Sequence, residues 1–182
     1  MLDLLFRRGN PTNNWNRQPT LRLELDLEQI ALNGVAVGQP FDSFSFLGRD
    51  EDTAQSRQNL FCYYSLGLEV AAVDGIVEEL SMVASDRQGR YCQFPGEVKW
   101  HGTKINLANL GLHNFADTFG EWYWIDTDDA ESIVFYEFPN CEWQFECNLA
   151  GQLERIVIAK TPLLSDIQQR TAYRVTRQWP PE

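Results

Sequence analysis

The stretch CEWQFECNL, residues 141–149, decides the fold, because apolar and polar residues alternate through it without a break. A period of two is typical of a strand with one buried face and one polar face. Ala150-Gly151 then predicts a turn, and residues 153–158 predict an antiparallel return strand. The sequence therefore predicts an antiparallel sheet with an apolar face and an acidic face.

The features around this hairpin recur earlier in the chain in the same order. In the first half, glycines mark two predicted turns and the end of a predicted helix, at Gly34, Gly75 and Gly48. Their counterparts in the second half are Gly102, Gly151 and Gly120, which lie 68, 76 and 72 residues further on. We interpret this as an internal duplication; the alternative is chance similarity between two antiparallel sheets.

Each half is predicted to contain a hairpin, one helix and a three-stranded meander. Asn33-Gly34 is a strong hairpin signal, and His101-Gly102 is a weaker one. A helix is expected in the first half with Pro40 as its first residue, and in the second half with Asn109 as its cap. The apolar residues of these two helices are Phe41, Phe44 and Leu47, and Leu112, Phe115, Ala116 and Phe119.

The fold class that follows is α+β, with two tandem repeats and helices packed on one face of antiparallel sheet. We divide the single compact domain into a polar arm (1–20), repeat 1 (21–88), repeat 2 (89–160) and a C-terminal tail (161–182). The arm is interpreted as a loop or a disordered segment, and residues 165–179 as a short helix or a strand. Because one helix covers a sheet only in part, we expect an acidic sheet face open to solvent or to a partner.

The arrangement of two tandem units, each a helix followed by a meander, resembles the β-lactamase-inhibitor-protein-like fold. The residues that carry the resemblance are the glycines at 34 and 38 and the sequence Phe46-Leu47-Gly48. Residues 28–160 are also similar to small bacterial outer-membrane assembly lipoproteins of that type, and the chain resembles an uncharacterised bacterial family more than a known enzyme. Those proteins are exported, and the inhibitor type has two helices per unit and disulfides, whereas this sequence indicates neither. The resemblance implies a binding protein with a concave sheet that presents aromatic and polar side chains.

Charge and composition limit the partners. The chain has 15 basic and 26 acidic residues, for a net charge of −11, and residues 23–160 alone carry −15. Such a body repels nucleic acid and suits a basic protein partner or a cation, although solubility alone is the alternative. No apolar run approaches the roughly 20 residues of a membrane span. Without a secretory signal pattern, the chain is expected to be cytoplasmic, with Cys62, Cys92, Cys141 and Cys147 as buried, reduced thiols.

The sequence favours a non-enzymatic protein without cofactor or metal. Neither His101 nor His113 lies near a recognisable nucleophile motif, which argues against a catalytic role for either. A hydrolase or transferase is the alternative from another class of function. The acidic stretch 126–131 with Glu137 has a spacing similar to a calcium loop. Its sixth position, however, is Glu131 and not the glycine that the sharp turn of such a loop requires.

The candidate binding site is an aromatic loop beside acidic residues. Trp122, Tyr123 and Trp124 are consecutive, and neighbouring side chains on a strand point to opposite sides. At least one ring should therefore be half-exposed, although two of them could simply close the end of the core. The candidate binding residues are Trp122, Tyr123, Trp124, Asp126, Asp128 and Asp129. They suggest a protein-binding module for a basic partner, with self-association also open; the alternative is an immunity or inhibitor protein against a basic toxin.

Overall fold

The structure, a computed structural model, describes residues 10–181. Within that range twelve strands form two sheets, and the helices are short. The strands are β1 (Glu24–Asp26), β2 (Ala31–Leu32), β3 (Val35–Ala36), β4 (Leu60–Tyr63), β5 (Leu68–Val73), β6 (Ile76–Val83), β7 (Glu97–Trp100), β8 (Thr103–Ile105), β9 (Trp124–Thr127), β10 (Glu131–Phe138), β11 (Cys141–Asn148) and β12 (Leu153–Ala159). This is an α+β chain made mostly of sheet.

The large sheet has the strand order β4-β5-β6-β12-β11-β10-β9 and is antiparallel throughout. Its centre is the pairing of β6 with β12, where Met82 lies opposite Ile156. The small sheet has the order β3-β2-β1-β7-β8. Its β1–β7 pair is parallel, a feature that the sequence pattern did not predict.

Tight turns close the hairpins where the sequence predicted them. Asn33, Asp74 and His101 have φ values of 52°, 52° and 49°, and the glycine after each also has a positive φ. Two successive residues with positive φ are what a two-residue hairpin turn requires. The three predicted turns are therefore confirmed.

The two expected helices differ from prediction in type and start. The first is a 3₁₀ helix, Phe41–Leu47, and Pro40 precedes it as the cap residue. The second is α1 (Phe115–Phe119), which follows Asn114 and not Asn109. The reason lies in the turn before α1, where the Asn114 side chain accepts a hydrogen bond from the Gly111 N–H (3.1 Å) and donates one to the Asn109 carbonyl (2.8 Å). The other helices are 3₁₀ helices Pro11–Asn14, Gln55–Gln58, Tyr64–Leu66, Leu107–Asn109 and Leu163–Ser165, and α2 (Ile167–Ala172).

One hydrophobic core lies on what we call the inner face of the large sheet. Aromatic contacts connect that face to the elements above it, because these side chains dominate the buried apolar area. The Phe115 ring on α1 lies 5.0 Å from Phe145, and the Trp100 ring on β7 lies 4.9 Å from Trp143. The Phe41 ring of the 3₁₀ helix Phe41–Leu47 lies 4.1 Å from Phe61 of β4, in the same cross-strand row as Trp143, so this helix and α1 pack on the same sheet face.

The polar arm is an ordered loop from residue 10 onward, and residues 1–9 lie outside the described part of the chain. The Thr12 side chain is buried and accepts a hydrogen bond from the Asp50 N–H (3.0 Å). The Asn10 amide donates to the Asp50 carboxylate (2.9 Å). These contacts attach the arm to the loop before β4.

The C-terminal segment, residues 160–181, lies on the opposite face of the large sheet, which we call the outer face. Asp166 caps α2 by accepting a hydrogen bond from the Gln168 N–H (2.7 Å), so a helix and not a strand forms in this segment. Leu164 is fully buried and packs with Tyr123 and Phe135 in a second, small hydrophobic cluster. The expectation of an open acidic face is therefore wrong for the part of the face that this segment covers.

Candidate functional site

The outer face of the large sheet carries its charged residues. Trp143 and Phe145 of β11 belong to the inner core, so the residues that alternate with them, Glu142, Gln144 and Glu146, lie on the outer face. Across the sheet, Glu146 lies opposite Arg155 of β12. The sequence alternation predicted this division correctly.

A guanidinium surrounded by carboxylates occupies the middle of the outer face. Arg155 Nη1 lies 2.5 Å from Glu69 Oε2, and Arg155 Nε lies 3.5 Å from Glu146 Oε2. Nη1 also donates to the Ser81 hydroxyl (3.1 Å). Glu79 of β6 lies close enough for its charge to interact with both Arg155 and Glu69. We call Arg155, Glu69, Glu79 and Glu146 the Arg155 cluster.

The Arg155 cluster contains more negative than positive charge. Burial raises the pKa of Glu146 to about 7, although Arg155 opposes the shift, and the charges of Glu131, Glu79 and Glu69 add to it. Burial also raises the pKa of Glu79. Both shifts mean that the ionised carboxylates are only partly compensated. A further cation at this position would therefore be stabilised.

Two tyrosines border the cluster on the side of β4. The Tyr91 hydroxyl donates to the Glu69 carboxylate, and the Arg155 guanidinium lies 5.5 Å from the Tyr91 ring centre. Tyr64 packs edge-on against Tyr91 at 4.8 Å. Cys62 is buried beside them, and burial raises the pKa of its thiol. That thiol is consequently a poor nucleophile.

Sequence reasoning missed the Arg155 cluster, although a signal was available. Arg155 is the one basic residue in the sequence from β10 to β12, residues 131–159. It stands at a polar position of the alternation, where strand pairing brings it opposite Glu146. The contributions of Glu69 and Glu79 depend on the pairing of β6 with β12, which the local pattern does not specify.

The predicted aromatic loop is not an exposed loop. Tyr123 is buried, and its hydroxyl donates to the carbonyls of Arg177 (3.1 Å) and Gln178 (3.2 Å). Trp122 and Trp124 are half-buried, and Trp122 packs against the main core while Trp124 packs against the small cluster. These three residues form an attachment point for the C-terminal segment.

The predicted acidic loop is in fact a strand end and a turn. Asp126 lies in β9 opposite Ile133, in the same cross-strand row as Glu146 and Arg155. Asp128 and Asp129 are exposed between β9 and β10. Backbone hydrogen bonds from Ala130 (2.7 Å) and Glu131 (2.9 Å) lower the pKa of Asp128. The predicted aspartates therefore extend the negative charge of the Arg155 cluster to the sheet edge.

Three further acidic residues, Asp50, Glu51 and Asp52, lie in the loop before β4, and their carboxylates are all engaged within the chain. Asp50 is buried and accepts the Cys62 N–H (2.7 Å), Glu51 binds the side chain of Ser65, and Asp52 pairs with Arg90 at 3.1 Å. Their role is local structure, in contrast to the exposed Asp128 and Asp129.

The calcium-like spacing does not gather its carboxylates. Asp128 is engaged in its own turn, while Glu137 lies at the other end of β10, hydrogen-bonded to Trp179 (2.8 Å). Among residues 10–181, no group of three or more His, Cys, Asp and Glu side chains is arranged to hold a metal ion.

The histidines and cysteines are distributed over the surface and core. His101 Nδ1 lies 3.3 Å from Glu28 Oε1 in an exposed pair, and His113 is exposed. The four cysteines are free thiols, with Cys62 and Cys147 buried. The prediction that all four are buried is wrong for Cys92, which is exposed, while Cys141 is half-buried. Cys92 lies in the irregular segment between β6 and β7, where no alternation predicts which side chains are buried.

Comparisons with known proteins give one structural neighbour. The sequence matches no family model and no curated protein. The fold is similar to the crystal structure of YjgB, a DUF4309 family protein from Bacillus subtilis, with a TM-score of 0.47 and 11% identity. The similarity covers 66% of this chain and 76% of that chain. Within residues 10–181, no helix has the length and apolar character needed to cross a bilayer.

Proposed function

We propose that this chain is a non-enzymatic protein-binding module that takes a basic protein partner on the outer face of its large sheet. The contact surface comprises the Arg155 cluster and the adjoining β9–β10 hairpin. The observation that carries the proposal is that Glu69 and Glu146 both pair with the guanidinium of Arg155, while a third carboxylate, Glu79, lies within range of the same charges.

Charge complementarity supports a cationic partner. A lysine or arginine from a partner would supply the positive charge that Glu79 and Glu146 lack, and would relieve their mutual repulsion. Asp126 continues the same row, and the exposed Asp128 and Asp129 lie at its end. Exposed charges of this kind accelerate association, whereas the buried ones determine which partner remains bound.

We also infer that the sheet arose by internal duplication. In support, the Phe41 N–H donates to the Gly75 carbonyl (2.8 Å), and in the second half the Leu112 N–H donates to the Gly151 carbonyl (2.9 Å). A second matched pair of backbone bonds follows the first. These bonds are Val77 N–H to Gln39 carbonyl (3.0 Å) and Leu153 N–H to Leu110 carbonyl (3.4 Å). Under this proposal the β6–β12 pairing joins the two copies into one broad face.

An inhibitor or immunity protein is a special case of the same surface. The net charge of −11 supports a strongly basic target such as a basic toxin. The enzyme alternative has less support, because the imidazole of His101 is 64% exposed and its partner, Glu28, is exposed as well. The two binding proposals differ in outcome, since an inhibitor abolishes an activity of its partner.

The experiment is affinity capture from a lysate of the source cells, with partners quantified by mass spectrometry and the dissociation constant measured on the purified partner. The variant Glu79→Gln/Glu146→Gln removes two charges from the Arg155 cluster. Because burial already raises the pKa of both carboxyls, the neutral side chains should not impair folding. We expect a basic protein to be captured by the wild type and its affinity to fall at least about tenfold in the variant.

The matched control is Asp42→Asn/Asp117→Asn, which removes two exposed charges from the helical side of the molecule. If both double variants lose the partner equally, the attraction is a property of net charge and the proposed surface is wrong. Capture of a second copy of the chain alone would replace the basic partner with self-association.

A further inference from the structure

The outer face contains a second group of carboxylates, which the proposed function does not use. Glu137 of β10 and Glu142 of β11 lie directly opposite each other across the strand pair. Their exposed fractions are 5% and 0%. Neither carboxyl forms an ion pair with a residue in the described part of the chain. Two ionised carboxylates in this position would repel each other strongly.

Hydrogen-bond accounting indicates a proton between the two carboxyls. Glu142 accepts the Leu163 N–H (2.8 Å) and the Gln144 side-chain amide. Glu137 Oε2 accepts the Trp179 indole N–H (2.8 Å), but its buried Oε1 has no donor. A protonated Glu142 supplies that donor. Burial and the hydrogen bond to Glu137 raise the pKa of Glu142 to about 9, in agreement with this geometry.

Two of the donors to this pair belong to the C-terminal segment. Leu163 lies at its beginning and Trp179 near its end, so the pair contacts both ends of the segment. Between them, Arg177 Nη1 donates to the carbonyl of Tyr123 (2.8 Å), and the Tyr173 ring lies 5.5 Å from Phe135.

The apolar contacts that hold the segment are mostly incomplete. In the small cluster of the described chain, Leu164 is the one buried hydrophobic residue that the segment supplies, and Leu163, Tyr173, Val175 and Trp179 are only partly buried against Tyr123 and Phe135. A segment with so few buried apolar contacts opens at a lower free energy than the core strands do.

We propose that residues 160–181 form a detachable strap, held closed over the outer face by one proton that Glu137 and Glu142 share. Loss of that proton leaves two buried anions beneath the strap. Opening the strap then exposes both carboxyls to water, which relieves the repulsion. The sheet below it, including Phe135, becomes accessible.

The direction of the pH dependence follows from the raised pKa of Glu142. The closed strap retains the proton, whereas an exposed glutamate in the open state ionises near the ordinary glutamate pKa of 4.5. Closure is therefore most stable below pH 4.5 and weakens as the pH rises toward 9. One proton corresponds to an increase in the opening equilibrium of about tenfold per pH unit in this window.

The thiol and hydroxyl groups near the pair stay neutral over the same window. Burial raises the pKa of the Cys141 thiol to about 11 and raises the pKa values of the Tyr123 and Tyr173 hydroxyls. The cations Arg170 and Arg177 act on Tyr123 from the strap itself. On the β12 side, Ala159 lies opposite Glu142, and Glu79 of β6 lies opposite Ala159, while Lys160 is paired with Glu78 (3.3 Å). Burial also raises the pKa values of Glu79 and Glu146 on this face, so variants of Glu137 and Glu142 are needed to separate the response of the pair from theirs.

The test is hydrogen–deuterium exchange of the intact protein between pH 6 and pH 8, corrected for intrinsic exchange rates. We expect protection in residues 160–181 to fall about 100-fold over these two units, while β12 changes far less. In Glu137→Gln the new amide donates to Glu142, so no proton is needed and protection should be nearly constant. Glu142→Gln, a neutral counterpart of the protonated acid, should behave in the same way if the first variant does not fold.

The matched control is Glu131→Gln, on the same strand and the same face but six residues from Glu137. It should keep the wild-type slope. A strap whose protection does not change with pH in the wild type overturns the proposal, and so does an unchanged slope in both Glu137→Gln and Glu142→Gln.

Discussion

The two carboxylate groups on the outer face are buried in different ways. In the Arg155 cluster a guanidinium compensates Glu69 and Glu146, with N–O distances of 2.5 and 3.5 Å. In the Glu137–Glu142 pair, by contrast, neither carboxyl has an ion-pair partner among residues 10–181, and a proton takes the place of the cation.

This difference determines what each group responds to. In the Arg155 cluster the carboxylates outnumber the one permanent cation, and the excess negative charge attracts further positive charge. The Arg155 cluster is therefore suited to a basic partner. A proton exchanges with solvent, so the Glu137–Glu142 pair is suited to a response to pH. The same sheet face therefore combines a proposed contact surface with a proposed closing device.

The largest effect is expected from removing the cation. Arg155→Met leaves Glu69 and Glu146 without their guanidinium, and breaking a buried ion pair from one side is strongly destabilising. Because Arg155 is 27% exposed, we expect a loss of about 2–4 kcal/mol in the free energy of unfolding, measured by urea denaturation at pH 7.

The control is Arg87→Met, since Arg87 pairs with Glu154 at 2.6 Å but is 57% exposed. Surface pairs contribute little, and this variant should lose less than about 1 kcal/mol. Equal losses in the two variants would mean that the Arg155 cluster behaves as an ordinary surface pair.

The comparison also shows how much the sequence predicts. Alternation in residues 141–149 assigned Glu142 and Glu146 to the outer face, and dipeptides such as Asn33-Gly34 predicted the hairpin turns. Both signals are local, because strand period and turn geometry involve only neighbouring residues. The α+β class followed from them.

The environments of the same carboxylates could not be predicted. Glu142 is fully buried only because residues more than 20 positions further along the chain fold back over it, as the contact with Leu163 shows. The pattern of residues 165–179 was compatible with a helix or a strand, so it gave no indication of this contact. The aromatic residues at 122–124 were identified as important, but their contact with Arg177 depends on the same long-range packing.

The second effect concerns the pH dependence of Glu146. Burial raises the pKa of Glu146 from the ordinary 4.5 to about 7, so its contribution to stability is complete below pH 4.5 and is lost as the pH rises through 7. The wild type should therefore lose about 2 kcal/mol relative to Glu146→Gln between pH 4.5 and pH 7.5. Urea denaturation at a series of pH values measures the difference. Glu78→Gln, which removes a half-buried carboxylate paired with Lys160, should follow the wild-type curve.

The third effect tests the Glu137–Glu142 pair without a change of charge. Trp179→Phe keeps an aromatic ring but removes the N–H that donates to buried Glu137. We expect the free energy of strap opening to fall by about 1–2 kcal/mol, as measured by hydrogen exchange of residues 160–181. Trp15→Phe is the control, because Trp15 packs against Phe41 (ring centres 4.7 Å apart) on the inner side of the sheet and should leave strap exchange unchanged. A strap that is as well protected in Trp179→Phe as in the wild type would show that the indole does not fasten it.

The smallest effect is expected at the exposed end of the same face, where neither a cation nor a proton is needed. Asp128 accepts two backbone N–H groups in its turn, and these bonds lower its pKa. Asp128→Ala should reduce the melting temperature slightly at pH 7. The difference in melting temperature between wild type and variant should narrow as the pH falls below 3.8, because protonation of Asp128 weakens the same hydrogen bonds. Asp129→Ala, which changes an equally exposed neighbour, should leave the melting temperature unaltered while weakening binding of a basic partner. If Asp129→Ala destabilises the fold as much as Asp128→Ala does, the hairpin aspartates are structural, and the proposed contact surface ends at Glu146.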